Sequence, residues 1–242
     1  MGYYIRTRVN ESPEFENMKD GKKEKVPLWG VLEKRKINLF CTVCIGATSL
    51  IPLYLATVYM GTMMGSKLHF TTSEIMLINL PLTGFAVCTL PFMGLLADKF
   101  GKEVQMRTAS FLLILLAYPL FLFLENNFSL FNMMIVQFSL LLFMAAFVAP
   151  SMALLTTYFP VHERYSGIGF GYALGGALLG GTTPLIIASL NSWYESPYIP
   201  AYYLMFSAIL GLLGVTLGKK QETNSRVQSG PKMQALRYAK AS

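Results

Sequence analysis

Apolar residues run through this chain in long, nearly unbroken stretches, and polar and charged residues are gathered between them rather than interleaved. Six stretches, at 37–60, 73–96, 106–124, 129–155, 167–190 and 200–217, are long enough to cross a bilayer. A hydrocarbon core of about 30 Å takes roughly 20 apolar residues in a helix, and inside it every backbone amide must find its partner within the segment. The pattern therefore predicts an all-α membrane protein of six transmembrane helices. A charged cytoplasmic segment over 1–36 precedes the bundle at 37–218, and a polar tail follows at 219–242.

Composition narrows the class further. At 242 residues, 53% hydrophobic and 14% charged, with mean hydropathy +0.46, the chain carries more apolar surface than a soluble core of this length could bury. Its 13% aromatic content is the reverse of the disorder signature. The first stretch does not read as a signal peptide, because 36 charged-to-polar residues stand before it without a small-residue cleavage pattern. Arg6 stands where myristoylation would need Ser or Thr.

The net charge of +7 changes meaning once it is located. Nineteen of the 20 Lys and Arg residues fall in the leading segment, in the connections after the second and fourth stretches (Lys99, Lys102, Arg107, Arg164) and in the tail. The opposite side holds only Lys67. By the positive-inside rule both termini are expected in the cytoplasm, and the basic balance is a topology signal with no nucleic-acid partner implied. Trp29, after Val26 and Pro27, is expected at headgroup depth.

Inside the spans the chemistry is sparse. Cys41 and Cys44 form a C-x-x-C pair set among Leu39, Phe40, Val43 and Ile45; with no second ligand pair it reads as small apolar packing. Pro52, Pro81, Pro91, Pro119, Pro150 and Pro184 each remove a helical hydrogen bond, which suits either a moving protein or the general tolerance of membrane helices for proline. Gly167, Gly171 and Gly175, with Gly176 and Gly180 on the next stripe, make a small-residue face for close helix packing, and in the absence of a partner bundle that face is left for lipid or a second copy. Glu74 and Glu125 stand at span ends, while His69 and His162 are expected in connections. No nucleophile elbow, phosphate loop or spaced pair of metal ligands occurs, so no enzyme, metal or cofactor is expected. Tyr54, Tyr59, Asn79, Gln137, Thr182 and Thr183 are the polar groups left in the spans; each either lines a substrate cavity or bonds to a neighbouring helix.

The connection after the second span reads GLLADKFGK over 94–102, with Gly94, Asp98, Gly101 and Lys102 at their places. It resembles the signature loop of the major facilitator superfamily, apart from Glu103 where a second basic residue is usual. FPVHERYSG over 159–167, Gly171 with Tyr172, GGTTPL over 180–185 and PAYYLM over 200–205 are similar to the tenth-to-twelfth-span region of its metabolite:proton symporter group, which includes proline/betaine transporters. ESPEF over 11–15 resembles the segment after that group's sixth span, with Gly2 to Ile5 as the end of that span. The resemblance implies the carboxyl-terminal six helices of a twelve-helix fold, located in the bacterial inner membrane. It also implies symport of protons with a small osmolyte or carboxylate by alternating access, beside a separately encoded amino-terminal half. In that scheme Gly94, Asp98, Gly101, Lys102 and Arg164 form a cytoplasmic gating network. The alternative is a non-transporting remnant or a stabilising membrane subunit.

Overall fold

The computed structural model describes residues 32, 33 and 35–218; the expectations for Trp29, for the segment around 2–15 and for the tail lie outside the described residues. Among the described residues six membrane-length helices follow one another: α1 (Lys36–Leu68), α2 (Thr72–Phe100), α3 (Lys102–Asn126), α4 (Leu130–Tyr158), α5 and α6 (Ile199–Gly218). α5 runs as Val161–Gly175, a π-helical Gly176–Gly181 and Thr183–Tyr194. α1 has a matching break, since Lys36–Tyr54 passes through the π-helical Leu55–Tyr59 into Met60–Leu68.

Helix ends are set by local chemistry. α2 opens on a capping box, in which the Thr71 hydroxyl accepts from the Glu74 amide at 3.4 Å and the Glu74 carboxylate accepts from the Thr71 amide at 2.8 Å. α4 opens on Ser129, whose hydroxyl accepts from the Asn132 amide at 3.2 Å. His69 and Glu195, both with positive φ, end α1 and α5. The helices outrun the apolar stretches because rim residues of either charge extend them into the polar zone. The predicted loop over 94–102 is therefore mostly helix, and Gly101 alone joins α2 to α3, at φ +95°, where a side chain would be strained. His162 and Arg164 also lie within the first turn of α5 and not in a connection, because the helix starts directly after Pro160.

α4 is the centre of one group of contacts, packing on α2, α3 and α1, while α1 lies along α5. The glycine face of α5 is spent on that second contact. A Cβ added at Gly175 would overlap the Val43 carbonyl, one at Gly171 would come within 2.9 Å of Thr42, and Gly180 faces Leu50. The expectation that this face would be left to lipid or a second copy is thus corrected: α1 of the same chain occupies it, since backbones meet closely only where no Cβ intervenes. Gly167 instead faces the Phe159 ring. α6 closes on α1 through Gly211 and Gly214, and Thr48 of α1 donates to the Ser207 carbonyl at 2.7 Å.

Five of the six prolines sit inside helices, and Pro184 heads the last segment of α5 just after the π turn. Pro150 deprives the Ala146 carbonyl of its helical donor. The buried Gln105 of α3 supplies one in its place, its amide donating to Ala146 O at 2.9 Å and to Met93 O of α2 at 3.0 Å. One side chain thereby ties three helices together. α2 is the least buried of the six: only Ala86 and Ala97 are buried, and Met76, Leu77, Leu80, Phe92 and Leu95 are exposed.

Candidate functional site

Two of the six polar span residues meet. Asn79 stands seven residues into α2 and Gln137 seven residues into α4, about 10 Å below the ends of two helices that run in the same direction. Asn79 Nδ2 donates to the Thr57 carbonyl at 3.2 Å, and Gln137 Nε2 donates to Asn79 Oδ1 at 2.5 Å. Thr57 lies on the π-helical turn of α1, so the chain of amides joins α1, α2 and α4 at one depth.

The direction of this chain is fixed by its first member. A backbone carbonyl can only accept, so the Asn79 atom facing Thr57 must be the nitrogen. Asn79 then turns its oxygen to Gln137, whose facing atom must in turn be nitrogen. The remaining atom, Gln137 Oε1, is shielded from solvent on a residue 0% exposed and has no hydrogen-bond partner among the described residues. Such an orphaned acceptor costs about 1–3 kcal/mol, which makes this the most strained polar spot of the junction.

The other four candidates are placed apart. Thr182 and Thr183 return their hydroxyls to carbonyls of their own helix, at Leu178 and Leu179. Leu179 O also accepts from the Tyr203 hydroxyl of α6 at 2.8 Å, so the π turn of α5 is served from two sides. Tyr54 is half-buried beside Gly180, and Tyr59 packs against the apolar core.

At the opposite end of the helices, Asp98 is exposed and makes no hydrogen bond or ion pair among the described residues. Gly94 faces open space and Lys102 is half-buried. Glu103, the residue that departs from the expected pattern, pairs with Arg107 one turn on at 2.6 Å. Arg164 has a shielded Nε without a partner among the described residues, while its neighbour Glu163, 4% exposed, meets Arg35 at 3.4 Å. The Asn38 amide beside them donates to the Tyr158 carbonyl at the end of α4. The five gating candidates thus share one rim without contacting each other as a network. Arg35, Asn38, Glu163 and Gln105 were missed by sequence reasoning because they stand at the edges of apolar stretches, where a polar residue is unremarked. On the far rim Lys67 pairs with Glu125 at 3.2 Å, which neutralises the single cation of that side.

The Major Facilitator Superfamily matches residues 39–240. The chain is 29% identical to the ectoine/proline transporter of Corynebacterium glutamicum over 86% of this chain and 44% of that protein. It is 29% identical to the proline/betaine transporter of Escherichia coli K12 over 95% and 47%. It is 31% identical to an inner membrane metabolite transport protein of the same strain over 92% and 51%. The chain thus spans about half the length of the curated relatives it matches. These relatives are transporters, not enzymes, and with six apolar helices they make the chain a multi-pass inner-membrane protein. No solved structure matches at a significant level.

Proposed function

This chain belongs to the major facilitator superfamily, and on that premise we propose that it forms the carboxyl-terminal six-helix half of a proton-coupled secondary transporter. Its substrate is a small osmolyte or metabolite of the proline or betaine kind, or a small carboxylate, moved by alternating access between two bundles that rock about a central site. Six further helices supply the amino-terminal half, and both ends of this six-helix half face the cytoplasm.

The observation that carries this reading is α2. It is a membrane-length helix with two buried residues and a run of exposed large apolar side chains, in a bundle that matches half of each relative. A second bundle would cover that face. This half contributes Asn79 and Gln137 to the substrate cavity, with Tyr54, Tyr59, Thr182 and Thr183 farther along its wall. Asp98, exposed and free of partners among the described residues, engages the other half at the cytoplasmic rim, where Gly94, Gly101 and Lys102 shape the turn and Arg164 closes the opposite corner. The spans of this chain hold no central Asp, Glu or His, so the group that carries the proton belongs to the other half.

The test is uptake of labelled proline, betaine and 2-oxoglutarate into proteoliposomes under an imposed proton gradient, with this chain alone and with a candidate amino-terminal half. Accumulation only with the added half supports the proposal. Accumulation by the chain alone would replace it with a homodimeric carrier, and no accumulation with any half would favour a non-transporting subunit.

A further inference from the structure

Resting on the transporter-half reading, we infer that the Asn79–Gln137 junction selects its ligand by a hydrogen-bond donor, taking small solutes that bring an N–H or O–H group and rejecting fully N-methylated ones. Gln137 Oε1 is a fully shielded acceptor without a donor among the described residues. Its orientation cannot be exchanged by rotating the amide, because the Thr57 carbonyl fixes Asn79 and Asn79 fixes Gln137. Oε1 is the one atom of the junction with no partner at all among the described residues, and what it lacks is a donor.

The walls of the site differ in how firmly they are held. Gln137 and the core side of α4 are buried against α1 and α3, whereas α2 buries only Ala86 and Ala97, and Pro81 removes a helical hydrogen bond two residues beyond Asn79. The third wall is the π turn Leu55–Tyr59, a geometry that recurs at functional positions in helices. α2 is thus the wall that yields. A bend of α2 at Pro81, with Asn79 still held by the Thr57 carbonyl and by Gln137, opens Oε1 to a ligand whose donor satisfies it.

A quaternary ammonium offers methyl groups where the acceptor needs a proton, so it would leave Oε1 unpaired in the bound state. Proline, with two N–H donors on its ammonium, satisfies it. The inference therefore separates two solutes that are named together for one of the relatives. A site built to bond a donor rejects an analogue lacking it far more strongly than an apolar pocket rejects a change in size.

The experiment is competition against labelled L-proline binding to the purified full chain in nanodiscs, and to the same chain assembled with an amino-terminal half. The competitors are unlabelled proline and N,N-dimethylproline, which differ only at the nitrogen. Dimethylproline should compete about 10- to 100-fold more weakly. Gln137→Met, which keeps the side-chain volume and removes the orphaned oxygen, should erase that difference, with thermal unfolding confirming that the variant is folded. Equal competition by both compounds in the wild type overturns the inference whether or not the variant folds. It is also overturned if a folded Gln137→Met retains the difference, or if no donor compound binds in either preparation, the outcome expected of a site that holds a resident water only. Selective binding without gradient-driven uptake would reject the transporter reading and leave the donor selection standing.

Discussion

Gln105 donates its side-chain amide to the Ala146 carbonyl at 2.9 Å, the carbonyl that Pro150 leaves without a helical donor one turn farther along α4. Gln105→Leu should lower stability by about 1–2 kcal/mol, since that carbonyl and Met93 O both lose a donor in a dry setting. Pro150→Ala restores an amide to α4, so the cost of Gln105→Leu should be smaller in that background by about 0.5–1 kcal/mol. A double-mutant cycle by thermal unfolding in detergent reads the difference; strictly additive costs would show that the proline and the glutamine act independently.

Gly175→Ala places a methyl group on the Val43 carbonyl at the contact between α1 and α5, where neither backbone can give way alone. A loss of roughly 2–4 kcal/mol is expected. Gly169→Ala, six residues earlier on the same helix and with nothing within 4 Å of the added carbon, should be neutral or stabilising by about 0.5–1 kcal/mol. Melting of both variants side by side checks the contrast.

Asp98→Asn should leave membrane insertion and unfolding within about 0.5 kcal/mol of wild type, because the exposed carboxylate has no partner among the described residues to lose. In a two-half assembly the same change should cut uptake by about 5- to 100-fold, the range of a coupling lost between two conformations. Unchanged uptake would reject the gating role.

Orientation is read by labelling. On a Cys88→Ser background, chosen because Cys88 is the exposed native thiol, a membrane-impermeant maleimide applied to intact cells should reach a cysteine at Asn127 or Ser196 and not one at Ser229. The reverse pattern would invert the topology drawn from Lys67 standing alone on its side.

What could be read in the sequence and what could not divides along the range of the forces involved. The spans were legible because hydrocarbon filters residue by residue, and the glycine stripe from Gly171 to Gly180 was legible as a close-packing face. Its partner was not, because nothing in α5 names Leu39, Val43 and Leu50 across the gap. Asn79 and Gln137 stood out as amides in apolar runs, yet their pairing depends on α2 and α4 running in the same direction at one register, a property of neither helix alone. The π turns at Leu55–Tyr59 and Gly176–Gly181 left no compositional mark, since one widened turn alters hydrogen bonding without altering the residues that carry it. Gln105 was hidden by its position just ahead of the apolar stretch that starts at Met106.

Gly101 is the whole of the connection between α2 and α3, its amide bonded back to Ala97 and its carbonyl accepting from Gln105. With a single residue between them, the two helices have a fixed rotational phase, and there is no slack to absorb a change in length. Inserting one residue anywhere from Phe100 to Lys102 would turn α3 by about 100° relative to α2, which would carry Gln105 away from both of its carbonyls. Length variation is therefore closed to this corner of the molecule, whereas the three residues between Leu68 and Thr72 and the stretch between Tyr194 and Ile199 have room for it. A tag or a reporter grafted into this chain belongs on that far side, and an engineered split or permutation made at Gly101 would leave the phase of α2 against α3 to packing and to the two bonds of Gln105.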